Sequence, residues 1–131
     1  MLFRSGEHAV SRDPNVAMTT VLGSCVAACI YDAEKGIGGM NHFLLAETAD
    51  GTRMEEEAMR YGAYAMEVLI NAMLSMGAVR SRMKARIFGG ATMRSGFRDI
   101  GGDNIAFARR FLRDEKIPLV GEDVEIGRAH V

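Results

Sequence analysis

Short apolar runs, separated by polar or glycine-containing breaks, fill the first third of the chain. Short runs rich in β-branched residues are typical of strands, and the pattern predicts strands over 7–12, 16–22, 26–31 and 37–45. Asp13-Pro14-Asn15 predicts a turn, because Pro presets the backbone and Asp and Asn cap it locally. A second turn is predicted at 32–36, and Gly38-Gly39 predicts a bend or bulge within the fourth strand.

A helical period begins at Thr52. Thr52-Arg53-Met54-Glu55 matches a capping box, in which Thr caps the first turn and the Glu three residues on reaches back. Apolar residues then recur close to every 3.6 positions, which predicts a helix with these inward residues: Met59, Ala63, Met66, Leu69, Ile70, Met73 and Met76. Gly77 suits the left-handed residue that ends a helix. We expect the methionine stripe to pack in the core.

The second half predicts a strand, a helix and a last strand. Residues 83–88 alternate as a strand, which Gly89-Gly90 ends. Asp103 can cap a helix over 104–114, and a strand follows at 117–120. With the N-terminal antiparallel strands, this order predicts a single-domain layered α/β (α+β) sandwich with mixed β-sheets and two main helices, not a doubly wound fold.

Composition narrows the class of protein. The 131 residues carry 16 Lys+Arg and 17 Asp+Glu, a net charge of −1, so bulk electrostatics favour neither nucleic acid nor an anionic membrane as partner. No apolar run approaches the ~20 residues that cross a bilayer, and no secretory signal is visible at the N-terminus. Two cysteines are too few for a disulfide scaffold, which favours a reduced, cytoplasmic compartment.

The segment Gly23-Ser24-Cys25 carries the chemistry that the pattern suggests. The glycine interrupts a strand, so a thiol can stand at a bend where backbone N–H groups converge to hold an oxyanion. A free thiol is mostly protonated at neutral pH and needs a base. His42 lies 17 residues on, after the Gly38-Gly39 bend of the next predicted strand. A hydroxyl that orients the imidazole could come from Thr19 or from its neighbour, which face opposite sides of a strand.

Simpler interpretations compete with this site. A buried cysteine is most often a small packing residue, and we assign that role to Cys29 inside its apolar run. A lone histidine such as His42 is often structural. A zinc site built from Cys25, Cys29 and His42 lacks a fourth ligand and the usual spacing. The Gly89-Gly90 loop is not followed by the Lys-Ser/Thr of a P-loop.

Two stretches and three shorter blocks resemble the CheD family of chemoreceptor glutamine deamidases. The two long stretches are Thr19-Thr20-Val21-Leu22-Gly23-Ser24-Cys25-Val26-Ala27 and Gly38-Gly39-Met40-Asn41-His42-Phe43-Leu44-Leu45. The shorter blocks follow in the family's order within 61–71, at Phe88-Gly89-Gly90-Ala91 and within 100–104. The resemblance extends from about Glu7 to Arg128, which makes 1–131 a single CheD-like domain.

The resemblance implies a protein-glutamine glutaminase that converts receptor glutamine side chains to glutamate and ammonia, with some hydrolysis of glutamyl methyl esters. It places the nucleophile on Cys25, the general base on His42 and the third member on Thr19, with Gly23 and Ser24 at the oxyanion turn. It also suggests rim positions for a substrate at Asn41, Phe43, Phe88, Gly89 and Gly90. No metal or organic cofactor is implied. The partners implied are the cytoplasmic helices of methyl-accepting chemoreceptors and, for some members, the CheC phosphatase.

The sequence departs from the family pattern near its end. Gly121-Glu122 stands where the family usually has a Gly-Gly pair, Gly127-Arg128 is kept, and the chain stops at Val131, so the last edge strand is expected to be missing or supplied otherwise. Two other functions compete with deamidation. One is a non-catalytic module that regulates a CheC-type phosphatase, and the other is a cysteine enzyme that performs proteolysis or acyl transfer.

Overall fold

A computed structural model describes residues 7–18, 25–45, 52–90 and 100–124, without the side chains of 52–56 and 100–101. The described residues form one five-stranded mixed sheet and two helices. The strands are β1 (His8–Ser11), β2 (Val26–Asp32), β3 (Ile37–Asn41), β4 (Lys84–Gly89) and β5 (Leu119–Val124). The helices are α1 (Thr52–Ser75) and α2 (Ile100–Asp114), with a short 3-10 turn at Arg80–Arg82.

The sheet order is β1-β3-β2-β4-β5. All neighbouring strands are antiparallel except β4 and β5, which are parallel and joined through α2. Parallel neighbours need a long crossover, and α2 provides it. The predicted strand–helix–strand unit and the mixed α+β class are therefore confirmed.

Both helices pack on the same face of the sheet and enclose one apolar core. Every second residue of β2 faces this core, beginning at Val26, and the same cluster holds side chains from α1 and α2 such as Met66 and Ile105. The methionine stripe largely packs as predicted, since Met66 and Met73 have no exposed surface, but Met59 is 38% exposed. The result is a helix layer over one face and a second face that carries the alternate strand residues.

The glycine pair of β3 has a packing role that differs from the predicted bulge. Gly38 and Gly39 pair in regular register with Tyr31 and Ile30. A Cβ on Gly39 would lie 2.8 Å from side-chain carbons of both Leu69 and Val10, whereas one on Gly38 would meet only a backbone oxygen 4.0 Å away. Gly39 therefore lets α1 approach the sheet closely, and it does not bend the strand.

Several element boundaries differ from the sequence predictions. Residues 16–18, the described part of the predicted strand 16–22, are not a strand, because the Val16 N–H donates to Asp13 O and closes the preceding turn. The strand predicted over 37–45 stops at Asn41, although Phe43 still bridges to β2. Helix α2 starts at Ile100, before Asp103, despite the low helix propensity of the two glycines in its first turn.

The end of α1 follows the sequence prediction, whereas the last strand forms at Leu119–Val124 and not over the predicted 117–120. Gly77 has a φ of 108° and the Ala78 N–H donates to Met73 O, as expected where a left-handed glycine ends α1. The strand β5 forms through the Gly121-Glu122 segment that departs from the family pattern. There Glu122 accepts two hydrogen bonds from Arg109 of α2, at 2.7 and 2.8 Å, and this pairing lowers the pKa of the Glu122 carboxyl.

The carboxylate of Asp32 fixes the far end of β2. It has no exposed surface and accepts hydrogen bonds from Arg82 Nε and Nη2, both at 3.1 Å. The backbone N–H of Val79 donates to it at 2.8 Å. The Arg82 hydrogen bond, opposed by burial, holds the pKa of Asp32 at about 2. One buried carboxylate thus ties the central strand to the connection between α1 and β4.

We expect Gly39→Ala to destabilise the fold and Gly38→Ala to leave it nearly unchanged. The new methyl group of Gly39→Ala would overlap Leu69 and Val10, and overpacking of this kind typically costs about 1–3 kcal/mol. The matched methyl of Gly38→Ala has room and should change the free energy of unfolding by less than about 0.5 kcal/mol. Urea unfolding of both variants measures the difference, and equal stabilities would contradict the close approach.

The low pKa of Asp32 predicts a pH-dependent stability. Because the folded carboxyl titrates near 2, below its value of ~3.9 in unfolded chains, its stabilisation is present above about pH 4 and is lost as the pH falls towards 2. Asp32→Asn should therefore lower the urea midpoint at neutral pH, and its difference from the wild type should shrink in acid. Asp114→Asn removes a charge from an exposed site on α2 and serves as control. A wild-type advantage that stays constant down to pH 2 would rule out this role.

Candidate active site

Cys25 stands where the chain enters β2. Its carbonyl oxygen accepts a hydrogen bond of 2.8 Å from the Gly90 N–H, just past the end of β4. The next residue, Val26, points into the helix-side core. Because strand side chains alternate, the Cys25 thiol lies on the opposite face of the sheet, and the residue is partly exposed.

His42 follows β3 and is held through its neighbours. Phe43 and Val26 exchange two backbone hydrogen bonds of 2.9 and 3.0 Å, and the Phe43 side chain is fully buried in the helix-side core. The His42 N–H donates to Glu7 O at 3.1 Å, which ties the residue to the segment that enters β1. Its side chain is 6% exposed and, by alternation with Phe43, lies on the face that carries Cys25.

The register places the thiol and the imidazole next to each other diagonally. Continuing the Val26–Phe43 pair by one position brings Cys25 opposite Leu44, two residues from His42 on the same face. Diagonal neighbours on an antiparallel pair are about 7 Å apart, within reach of a long or aromatic side chain. The structure thus brings the two predicted residues together on adjacent strand segments.

Asn41 interrupts the ladder between β2 and β3 immediately before His42. The Ala28 N–H, which faces this position in the register, donates to the Asn41 side-chain oxygen Oδ1 at 2.9 Å. The amide nitrogen Nδ2 of the same side chain contacts Ala65 O at 3.4 Å and Met66 Sδ at 3.3 Å, both on α1. One buried amide thus joins two strands and a helix at the residue that precedes the histidine.

An apolar floor lies beside the pair on the same face. Ala27 and Met40 are buried there and pack with Met18 and Cys29. Phe88 is in register with Ala27 and is partly exposed, so it borders the floor on the β4 side. Ala27 is in register with Phe88 and, by extension of the β2–β3 register, with His42. A small side chain therefore separates the histidine from the phenylalanine ring.

Both cysteines are partly exposed, and burial raises the pKa of each thiol. Burial raises the pKa of the Cys25 thiol, opposed by a backbone hydrogen bond. Burial raises the pKa of Cys29 to about 11, although the positive charge of Arg86 opposes the rise. A thiol of raised pKa is a weak nucleophile at neutral pH until a base removes its proton. Cys29 packs in the floor, as predicted, whereas Cys25 stands at its margin.

Gly89 and Gly90 turn the chain beside Cys25. Their φ angles are 95° and 71°, values that side chains with a Cβ rarely adopt. Only this turn brings the Gly90 N–H onto the Cys25 carbonyl, so the glycine pair acts here through its backbone.

The remaining predicted site residues do not all lie on the face of the sheet that carries Cys25. Thr19, Gly23 and Ser24 lie outside the described residues. Asn41 and Phe43, predicted at the substrate rim, instead have their side chains 1% and 0% exposed on the helix side of the sheet, where alternation with His42 must put them. Phe88 is on the Cys25 face. The sequence analysis did not predict that the Asn41 side chain joins β2 and α1. A buried amide needs hydrogen-bond partners, so an asparagine within a predicted buried strand could have indicated this role.

Two features of the described residues concern metal ligands and membrane-spanning helices. Among residues 7–18, 25–45, 52–90 and 100–124, no group of three or more His, Cys, Asp or Glu side chains is arranged to hold a metal ion. In the same residues no helix combines the length and the apolar character needed to cross a membrane.

The fold has a counterpart among solved structures. The crystal structure of the Bacillus licheniformis hypothetical protein YfiH superposes with a TM-score of 0.55, covering 91% of this chain and 50% of that chain at 13% identity. At this identity the likeness concerns the fold alone. Fold and site together define a mixed α+β protein with a thiol and an imidazole on neighbouring strands.

Relatives identify the family. The model of the family described as "CheD chemotactic sensory transduction" matches residues 44–129. The chain is 63% identical over 115 residues to a Caulobacter vibrioides protein and 60% identical over 119 residues to one from Zymomonas mobilis, covering 88% and 91% of this chain. Both are named "Probable chemoreceptor glutamine deamidase CheD". This chain belongs to the CheD family. It spans 61% and 65% of the length of those two relatives.

Replacing Asn41 should lower the stability of the fold and change the surroundings of His42. Asn41→Ala would leave the buried Ala28 N–H without its acceptor, which typically costs about 1–3 kcal/mol of stability. Asn15→Ala, in an exposed turn, is the control and should have little effect. Urea unfolding measures the stability, and NMR of the His42 ring protons reports the local change. If Asn41→Ala matched the control in both measurements, the amide would not be holding the two strands.

Proposed function

We propose that this protein is a chemoreceptor glutamine deamidase, a protein-glutamine glutaminase that hydrolyses receptor glutamine side chains to glutamate and ammonia. The observation that carries the proposal is the diagonal placement of Cys25 and His42 on one face of the sheet. The names of relatives at 52–63% identity support it. The substrate would be the cytoplasmic helices of methyl-accepting chemoreceptors, and the reaction would therefore take place in the cytoplasm.

In the proposed mechanism His42 acts first as a base and then as an acid. It takes the proton of the Cys25 thiol, and the thiolate attacks the carbon of the glutamine carboxamide. The C–N bond breaks as the imidazolium gives its proton to the leaving nitrogen, so ammonia departs and a thioester remains. A water molecule, deprotonated by His42, then hydrolyses the thioester to glutamate, and the thiol recovers its proton. A glutamyl methyl ester would pass through the same thioester with methanol as leaving group.

The raised pKa of Cys25 explains why the base is needed. Because burial disfavours the thiolate, the proposal has His42 take the thiol proton as the sulfur attacks. We assign Thr19 to orient the imidazole and the backbone N–H groups of Ser24 and Cys25 to hold the oxyanion. In the proposal Gly23 provides the turn that these groups need. No step requires a metal or an organic cofactor.

Cys25→Ala should abolish ammonia release from a receptor cytoplasmic fragment, because no other group in the mechanism can form the thioester. We expect a loss of at least about 10³-fold. Cys29→Ala is the matched control, since it removes the other thiol from the same face of the same strand, and it should retain activity within about fivefold. Mass spectrometry of the receptor fragment should show the small mass increase of amide-to-acid conversion at particular glutamines in every active variant.

Other outcomes select the competing hypotheses. Full activity of Cys25→Ala would overturn the mechanism. Scission of the receptor fragment would indicate proteolysis instead of deamidation. A non-catalytic module that regulates a CheC-type phosphatase would release no ammonia from the receptor fragment, and Cys25→Ala would leave its effect on the phosphatase unchanged.

A further inference from the structure

Strand β4 carries two cations and an aromatic ring on the face of the sheet that holds Cys25. Lys84, Arg86 and Phe88 are in register with Tyr31, Cys29 and Ala27 of β2. These β2 residues alternate with the core residues that begin at Val26, so they share the face of Cys25. The same face of β4 therefore presents Lys84, Arg86 and Phe88 in a row that leads to Gly90 and Cys25.

Both cations are exposed and uncompensated within the described part of the chain. Neither the Lys84 nor the Arg86 side chain forms an ion pair or a hydrogen bond there. Arginines near the helix layer behave differently, since Arg80, Arg82 and Arg109 each bind a carboxylate at 2.7–3.1 Å. The carboxylate of Asp123 on β5 shares this face, in register with Phe88, but forms no ion pair with either cation. The two cations are thus available to a partner.

Arg86 lies flat across the neighbouring strand. A Cβ on Gly121 of β5 would come within 2.7 Å of the Arg86 nitrogen Nη1, so glycine leaves room there for the guanidinium. On the other side the charge of Arg86 acts on the Cys29 thiol. The guanidinium is therefore positioned on the surface of the sheet between β2 and β5.

The spacing along β4 matches a helical substrate. Arg86 and Lys84 precede Gly90 by four and six residues, or about 13 and 20 Å at ~3.3 Å per residue. A helix that rises 1.5 Å per residue covers these lengths in roughly 9 and 13 residues. A helix lying along β4 with its glutamine at Cys25 would bring side chains two to four turns away over the two cations.

We propose that Lys84 and Arg86 form a docking surface for an acidic segment of the substrate helix, about two to four turns from the target glutamine. This inference rests on the proposed function and adds the direction in which the substrate helix lies on the sheet. The carboxylates fix which end of the helix lies over β4, and Phe88 contacts the helix between the cations and the thiol. Exposed charges of this kind act mainly on encounter and register, so their effect should weaken with salt.

The test compares two double charge reversals of equal net charge. Lys84→Glu with Arg86→Glu changes the proposed surface, and Arg110→Glu with Arg113→Glu changes exposed cations of α2 in the helix layer. With a receptor cytoplasmic fragment, the first pair should raise KM for ammonia release at least about tenfold, with kcat within twofold. The second pair should leave both near wild type. Raising the salt to about 0.5 M should reduce the difference, and alkylation of Cys25 by iodoacetamide should be unchanged.

Binding separates this proposal from the proposed function. Fluorescence anisotropy of the labelled receptor fragment, measured in the Cys25→Ala background, should show the same loss of affinity for the β4 pair. Changing the acidic residues two to four turns from the modified glutamine to alanine should weaken wild-type binding and remove the effect of the reversals. If KM and affinity stay within twofold, or if the α2 pair has an equal effect, the docking surface is wrong while deamidation stands. If binding depends on the β4 cations but no ammonia is released, the surface stands and the activity is wrong.

Discussion

The hydrogen bond from the Ala28 N–H to Asn41 Oδ1 is the interaction on which the arrangement of the site depends. In a regular ladder a backbone carbonyl would accept that N–H, and the strand would continue unchanged through the next residues. Here a side chain accepts it, and the same amide reaches Ala65 and Met66 on α1. The ladder resumes at once with the Val26–Phe43 pair, so His42 is held between two anchored residues.

The two faces of the sheet differ in how far their side chains are buried. On the helix side a large apolar core is enclosed, and the close approach at Gly39 leaves no room for an additional carbon. On the other side burial is partial, which leaves Cys25 reachable while its thiol remains difficult to ionise. A thiol in such a position is protected from indiscriminate reaction and becomes a strong nucleophile only when a base and a substrate meet it together.

Periodicity predicted the elements because each has one buried face. A short apolar run predicted β2, alternation predicted β4, the 3.6-residue period predicted α1, and the strand–helix–strand order predicted the parallel pair. The interruption of β3 was predicted at Gly38-Gly39 and lies at Asn41, because substitution of a side chain for a backbone acceptor leaves no periodic trace. Asn41 and Phe43 were predicted at the substrate rim because they flank His42 in the motif. A motif shows which residues are neighbours along the chain, but it does not show which face of the sheet each side chain occupies. The adjacency of Cys25 and His42 required only that their strands be neighbours, and that much followed from sequence order.

The position of β1 at the edge of the sheet affects how easily the backbone unfolds locally at His42 compared with Cys25. Cys25 leads into the central strand, which has partners on both sides, whereas β1 is a four-residue strand at the edge of the sheet and the segment entering it accepts the His42 N–H. Edge elements with few buried contacts open locally at a lower free energy than central strands. Amide exchange should therefore be fast at His42 and slow along β2, so that His42 can lose its backbone support while Cys25 keeps its own. The two residues would then lie in parts of the sheet that differ in local stability.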